Sequence, residues 1–538
     1  MTGAEAMIKC LEAEGISRVF GYPGVAIAPF YDGLYNSDIE HVLVRQEQSA
    51  GHAASGYARA SGKPAVCVVT SGPGATNLIT ALATAHADSI PIVAISGQVS
   101  SKLLGRDVFQ EADMRGATRS FVKHSYLIKD PDDIPRVFKE AFYIASTGRK
   151  GPVLIDIPMD VQSGSLKKEF KYPKSVTIRG YKPEIKINPV QLKRVVNMID
   201  QAEKPLICAG GGVILSGGEA VTREFAEKFN IPLVHTMMGM GVMPKNHPLK
   251  FGMLGNNGKP YANKAVGRAD LLIVVGARIA DRAIPKPEKL TKRAVIHIDI
   301  DTAEIGKNMG PTVPLVGDLK EIFAMMMDAD IKRKSDDWIA ELDEIKRNTV
   351  DERVFSDKLV NPNLLVQTLS EKMDDNAIYV ADVGQNQLWS ADNYIMKEGR
   401  FMTTGGMGTM GYSIPAAIGA KMVYPDRQTV AVIGDGAFQM AMNELATMKN
   451  NNVDIKIVIM RNGYLGLVKE YQYYSYDEHY EGVNLHDWPR YDKVAEAYDI
   501  PYYTCSSNDE LSDKLDAFLA EDGAALMVCD IDAENRVK

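Results

Sequence analysis

The chain has 538 residues, 45% of them apolar and 24% charged, with a net charge of −8. That length suits three or four domains, and the composition is that of folded globular protein rather than disorder. The acidic balance gives no reason to expect a nucleic acid or an anionic membrane surface as partner. Five cysteines, Cys10, Cys67, Cys208, Cys505 and Cys529, include no CxxC pair, so a disulfide framework or zinc site is not expected and a cytoplasmic location is. No apolar run approaches the roughly 20 residues that span a bilayer. The opening MTGAEAMIKCLEAEGI reads as an amphipathic helix, not a signal or transit peptide.

Short β-branched runs alternate with helix-length segments along the chain: AVCVVT (65–70), PIVAIS (91–96), VLIDI (153–157), LLIVVG (271–276), VIHIDI (295–300), TVAVIG (429–434) and IKIVIM (455–460). Runs apolar on both faces imply parallel sheets covered by helices on both sides. Ser163–Pro189 and Ile331–Pro362 interrupt the pattern and read as linkers, although the stretch up to Arg353 also suits a surface helix. The expected fold class is α/β, with three doubly wound domains over 1–165, 188–330 and 362–538 and no internal repeat.

In the first block the strand HVLV leads into Arg45-Gln46-Glu47-Gln48 and then the small-residue helix SAGHAASGYARASG. Glu47 at this junction is either a helix-dipole partner or a buried carboxyl tuned for proton transfer. In the middle block, LICAGGG (Gly210, Gly211, Gly212) and LLIVVG are strand-plus-glycine turns, and HIDID ends a strand in carboxylates. They suit a dinucleotide, or a nucleotide fold without a ligand. The third block has the sharpest constellation. TVAVI ends in Gly434-Asp435-Gly436 before a helix, and Asn462-Gly463-Tyr464 follows the next strand, with Asn462 27 residues after Asp435. One strand–helix–strand unit puts both turns at neighbouring strand ends. A carboxylate, an amide oxygen and a backbone carbonyl suit Mg²⁺, and the glycines with the helix N-terminus suit a diphosphate.

A GDG followed by Asn at this spacing resembles the cofactor motif of thiamine-diphosphate enzymes. The stretches VFGYPGVAIAPFYDGLY, RQEQSAGHAASGYARASGK, TSGPGATNLITALATAHADSIPIVAISGQV, MMGMGVMPKNHP, VGARIADR, DVGQNQLW, GGMGTMGYSIPAAIGA and GDGAFQM resemble, colinearly, the large catalytic subunits of acetolactate synthases. The resemblance implies a pyrimidine domain, a central FAD-type domain and a diphosphate domain. It also implies a homodimer or homotetramer whose cofactor lies between two subunits, with a regulatory small subunit as a further possible partner. The implied reaction decarboxylates pyruvate and joins the two-carbon unit to a second 2-oxo acid, giving 2-acetolactate or 2-aceto-2-hydroxybutyrate.

By motif position, Glu47 is the activating carboxylate, which would hydrogen-bond a pyrimidine nitrogen of thiamine diphosphate. Val383, Gly384, Gln385 and Asn386 fall at the diphosphate, Gly408 at the pyrimidine, and Met410 under the bent cofactor. Asp435, Asn462 and the Tyr464 carbonyl would hold Mg²⁺, with Gly436 and Ala437 at the phosphates. Gly24 and Val25 lie near the reacting carbon, and Phe109, Gln110 and Lys123 at the substrate entrance. Arg278 would take the second substrate's carboxylate. A non-redox FAD would use Arg149, Gly210, Gly211, Gly212, Thr236, Met237, Gly255, Gly276, Arg278, Asp299 and Asp318.

The chain departs from the family at Gln46, Asn386 and Asn257, each in place of His, and at Ile279-Ala280 in place of Phe-Asp. Lys469-Glu470-Tyr471 stands where a Gln-Trp pair is usual, leaving acceptor preference open at Tyr471. The ending ENRVK is shorter than the family's tail, so Lys469–Leu485 is the expected mobile cover. Trp338, Trp389 and Trp488 read as packing residues. Competing readings are another thiamine-diphosphate enzyme, such as a 2-oxo-acid decarboxylase or sulfoacetaldehyde acetyltransferase, and a non-catalytic homologue.

Overall fold

Three six-stranded sheets, all of their strand pairs parallel, organise the chain. The computed structural model describes residues 1–284, 293–308, 310, 313–332, 335–350, 353 and 355–537. Parts of the expected 331–362 linker and the final Lys538 lie outside these.

The first sheet contains β1 (Arg18–Tyr22), β2 (Glu40–Leu43), β3 (Ala65–Val69), β4 (Ile92–Gln98), β5 (His124–Leu127) and β6 (Val153–Pro158), in the order 2-1-3-4-6-5. The second holds β7 (Pro205–Ala209), β8 (Leu233–His235), β9 (Lys250–Met253), β10 (Leu271–Val275), β11 (Ala294–Asp299) and β12 (Val313–Val316), in the order 12-11-10-7-8-9. The third holds β13 (Ile378–Ala381), β14 (Arg400–Met402), β15 (Thr429–Gly434), β16 (Lys456–Arg461), β17 (Tyr502–Cys505) and β18 (Ala525–Asp530), in the order 14-13-15-16-18-17. The first and third sheets therefore share one strand order. The middle sheet has the 3-2-1-4-5-6 order of dinucleotide-binding folds. In the middle sheet the connections reverse direction once, between β7 and β10, and in the first and third they reverse twice; loops beyond the strand ends open into a crevice at such a reversal.

The segment between the first two sheets is extended, but Phe170, Tyr172, Ile178 and Tyr181 pack on the first core. Helix Asp336–Asn348 buries Trp338 and Leu342 against the second, with Trp338 Nε1 donating to the Pro205 carbonyl (3.1 Å).

First and third domains meet through helices Glu47–Ser61 and Ser413–Val423, the most extensive helix pair among the described residues. Both are rich in Ala, Gly and Ser, which lets the backbones touch. A Cβ at Gly56 would overlap the Ala416 carbonyl, and one at Gly419 the Ala53 carbonyl. Around this seam Ser55 bonds Tyr412 (3.1 Å), Thr84 bonds Thr409 (2.7 Å) and Tyr424 donates to the Ala60 carbonyl (3.1 Å). The buried Asp88 accepts from Arg59 (2.7 Å) and from the N–H groups of Gly405 (3.3 Å) and Gly406 (2.8 Å).

Backbone atoms cannot rotate away from an added methyl, so G56A should destabilise the chain by about 1–3 kcal/mol, the usual cost of overpacking. G62A, at the left-handed cap of the same helix with open space around it, should cost about 1 kcal/mol or less through backbone strain. Urea unfolding of the two variants checks that order.

Candidate functional site

Three loops leave the carboxyl ends of β13, β15 and β16. Gly434 opens the helix that begins at Asp435. The Asp435 carboxylate accepts N–H bonds from Gly436 (3.0 Å), Asn462 (3.1 Å) and Gly463 (2.7 Å), which draws the β15 and β16 loops together. Burial nevertheless pushes its pKa up to about 6, against the lowering effect of those donors. A buried carboxylate short of positive charge is a fitting cation ligand. Asn462 adds an amide, whose Oδ1 accepts from Tyr464 N (3.1 Å).

On the β13 side the fully buried Asp382 accepts from Val383 N (2.9 Å), Gly411 N (3.0 Å) and Ser413 N (2.7 Å), fastening the 383–386 turn to the loop that carries Gly408 and Met410. Burial holds Asp382 at about 6. Gly384 has φ +119° and Gly408 φ +66°, conformations that favour glycine. Met410 Cε lies 3.5 Å from where a Gly436 side chain would begin, so the expected wedge and phosphate turn are neighbours. Asn386 Nδ2 donates to the Val383 carbonyl (3.0 Å). Its Oδ1 is buried with no hydrogen-bond partner among the described residues, as expected where a polar ligand completes the bonding.

A second cluster gathers on the first domain around the 70–74 loop. A side chain at Gly24 would press on Thr70, one at Gly72 would meet Gln110 Cβ at 2.9 Å, and one at Gly74 would lie 3.2 Å from Glu47 Oε1. One loop thus collects Gly24, Glu47 and Gln110 from three stretches of sequence. Glu47 opens its helix and accepts from Asn77 Nδ2 (3.0 Å). Thr70 Oγ1 and Ser71 Oγ are buried without hydrogen-bond partners among the described residues. Val25 and Phe109 are 76% and 88% exposed, so this cluster presents an open apolar face.

The middle domain lines a cleft of about 1710 Å³ that also touches the other two domains, well above the roughly 300–1,000 Å³ of sites for drug-sized ligands. Gly211, Gly212, Thr236, Met237, Gly276, Arg278, Asp299, Asp318 and Arg149 all line it, as do Val383 and Gly408. The glycine turns of β7 and β10 face each other, and a Cβ at Gly212 would lie 2.7 Å from Gly276 Cα. Size, glycine cradle and position at the switch point all fit a dinucleotide. Burial pushes Asp299 up to about 6, against the lowering effect of the Asp301 N–H donor. His86 is held below its usual value by burial and then by Arg149, Arg278 and Lys123, which marks a cationic patch. Arg149 pairs with Asp301 (3.1 Å) and Glu304 (2.8 Å).

Several expected residues sit differently. Gly210 and Gly255 are absent from the cleft lining; a Cβ at Gly210 would overlap the Gly276 carbonyl and one at Gly255 the Arg282 carbonyl. Lys123 Nζ donates to the carbonyls of Ile144 and Thr147 (2.8 Å for the latter) and to Tyr181 OH (3.0 Å), so its ammonium is engaged within its own domain. Gln385 turns its amide away from the glycine turn, onto Asn462 (3.1 Å), Glu470 (2.9 Å) and the Asn535 carbonyl (3.1 Å). Ile279 joins the middle core while Ala280 lines the cleft. Tyr471 is 60% exposed and meets Tyr476 edge to face, and Trp488 is 65% exposed rather than packed. The expected 469–485 cover is helical over Gly466–Ser475, with Lys469 and Glu470 buried. Asp382, Thr70 and Asp88 are additions. Glycines lie near Asp382 and Thr70 in sequence (Gly384; Gly72 and Gly74), whereas Asp88 meets its glycine N–H partners only in space.

Family models for thiamine pyrophosphate enzymes match the chain in three parts: the N-terminal TPP-binding domain over 1–117, the central domain over 192–326 and the C-terminal TPP-binding domain over 382–529. The chain therefore belongs to the thiamine pyrophosphate enzymes. It is 45% identical to a Methanocaldococcus jannaschii protein named "Probable acetolactate synthase large subunit" (96% of this chain, 89% of that one). It is 42% identical to the acetolactate synthase of Arthrospira platensis (93% and 89%) and 43% identical to the acetolactate synthase large subunit of Corynebacterium glutamicum (91% and 80%). Within the class it belongs to the acetolactate synthase large-subunit family.

Burial pushes Lys123 down from 10.5 to about 8. The unfolded chain therefore binds more protons between those values, and stability rises with pH across that window. Urea midpoints for the native chain and K123M should diverge in the native chain's favour from pH 8 towards 10.5.

Proposed function

We propose that this chain is the catalytic subunit of an acetolactate synthase, joining the two-carbon unit of one pyruvate to a second 2-oxo acid. The observation that carries the reading is a set of strand-end loops held by buried carboxylates, Asp435 joining the β15 and β16 loops and Asp382 joining the β13 loop to the backbone at Gly411 and Ser413, a cradle for a metal-bound diphosphate. Thiamine diphosphate, when bound, supplies the electron sink for decarboxylation.

Asp435, Asn462 and the Tyr464 carbonyl hold Mg²⁺ in this reading. Val383, Gly384, Asn386, Gly436 and Ala437 surround the diphosphate. Gly408 and Met410 orient the rings. Glu47, fixed by Asn77 and the 70–74 loop, holds or releases a proton at a pyrimidine nitrogen. Gln110, Phe109, Gly24 and Val25 line the substrate entrance and exclude water. Arg278 receives the carboxylate of the second 2-oxo acid, and Tyr471 borders it in place of a larger indole. The cleft at Gly211, Gly212 and Gly276 would hold FAD, which would do no redox work there.

Glu47 makes its described side-chain hydrogen bond inside the first domain, and the face around it is open and apolar. This supports a homodimer in which a second copy supplies the opposing cradle. The relatives' names as large subunits support a small partner subunit. No helix among the described residues is long and apolar enough to cross a membrane, and the five buried free cysteines support a reducing cytoplasm as the working location.

The purified full-length chain, supplied with thiamine diphosphate, Mg²⁺ and FAD, should convert pyruvate to 2-acetolactate. Acetaldehyde as the sole product would overturn the reading. E47Q should lower turnover by about 10²- to 10⁴-fold, as loss of an acid–base group does, and unchanged turnover would remove Glu47 from its role.

A further inference from the structure

Behind the metal-site loops runs a buried chain of hydrogen bonds that none of the roles above uses. Asn462 Nδ2 donates to Gln385 Oε1 (3.1 Å). Gln385 Nε2 donates to Glu470 Oε2 (2.9 Å) and to the Asn535 carbonyl (3.1 Å). The Glu470 carboxylate also accepts the Val537 N–H (3.1 and 3.0 Å). Gln385 and Glu470 are 6% and 5% exposed, where a broken hydrogen bond is expensive. Gly466 is needed for the approach, since a Cβ there would overlap Gln385 Oε1 and lie 2.7 Å from Asn462 Nδ2. The neighbouring Lys469 holds the same segment, donating to the Ala533 carbonyl (3.1 Å) and Glu534 (2.7 Å).

The polarity of this chain has one direction. Val537 N–H and Gln385 Nε2 are both donors; the Glu470 carboxylate meets them with oxygens on both sides, Oε2 taking both and Oε1 also facing Val537, whereas an amide would turn an NH₂ group towards one of these donors. With Nε2 fixed by Glu470, Gln385 presents Oε1 to Asn462. With Nδ2 thereby occupied, the planar amide of Asn462 offers Oδ1 on its other side.

We propose that Glu470 and Gln385 are positioning residues. They transmit the docking of the 533–537 segment to Asn462 and keep its amide oxygen aimed as a metal ligand. The inference rests on the Mg²⁺ reading above. It makes the carboxy-terminal segment part of the metal site's support without its touching the metal.

The test is a Mg²⁺ titration of the full chain with thiamine diphosphate present, followed by intrinsic fluorescence, with Mn²⁺ binding by electron paramagnetic resonance as a second readout. Loss of a group orienting a metal ligand typically costs about 10- to 100-fold in metal affinity, so E470Q should raise the half-saturating metal concentration by that factor. Turnover should return at high Mg²⁺. V537P deletes one donor and leaves the carboxylate in place; it should shift the midpoint the same way by a smaller factor, which keeps the proposal testable where E470Q does not fold. A purely structural role would lower the urea midpoint and leave the metal midpoint unmoved, and that result in either folded variant overturns the proposal. A native chain whose cofactor binding ignores Mg²⁺ overturns this inference and the Mg²⁺ reading together. A Mg²⁺-dependent native chain with unchanged variants overturns only the inference.

Discussion

Backbone-to-backbone contact between helices 47–61 and 413–423 is the constraint on which the arrangement of the chain depends. Glu47 is the first residue of one helix, and the Gly408–Tyr412 loop runs into the start of the other. Any side chain at Gly56 or Gly419 would force the backbones apart and would move the acid-bearing helix relative to that loop. Small residues add little apolar burial of their own, so the seam is reinforced by polar ties, of which Asp88 is the strongest. A buried carboxylate with a guanidinium and two backbone N–H donors is well satisfied, and removing it would strand Arg59 in the interface.

The shared strand order of the first and third sheets gives this contact its meaning. Two sheets of one design present the same kind of surface, strand ends and the loops beyond them, but equip it differently. The first carries Glu47 beside a loop with unpartnered hydroxyls. The third carries carboxylates that bind backbone N–H groups and hold glycine turns open. The middle sheet follows another order and places paired glycine turns at its own point of reversal.

Much of this was legible in the sequence. The inner strands announced themselves because burial on both faces demands unbroken apolar runs, and those runs are AVCVV, VLIDI, LLIVV and TVAVI. The edge strands β5, β9, β12, β14 and β17 did not. Each is only three or four residues long and buries one face at most, which leaves no run to find. The repeated sheet order was equally hidden, since it lies in crossovers and not in residue identity. Motif spacing located Asp435 and Asn462, because a strand–helix–strand unit has a fixed length. It could not say where a long side chain turns. Lys123 and Gln385 both reach inward to backbone carbonyls and neighbouring side chains, a choice settled by partners distant in sequence such as Tyr181 and Glu470. Asp382 and Asp88 escaped notice for the same reason, since their partners are N–H groups of loops folded against them.

The cleft above the middle sheet has walls from all three domains: Asp88 and Arg149 from the first, Gly276 and Arg278 from the second, Val383 and Gly408 from the third. A molecule seated there works as a keystone. Its binding free energy adds to the resistance of three separately folded bodies against coming apart, whatever electrons it does or does not carry. Emptying the cleft would then loosen all three domains together.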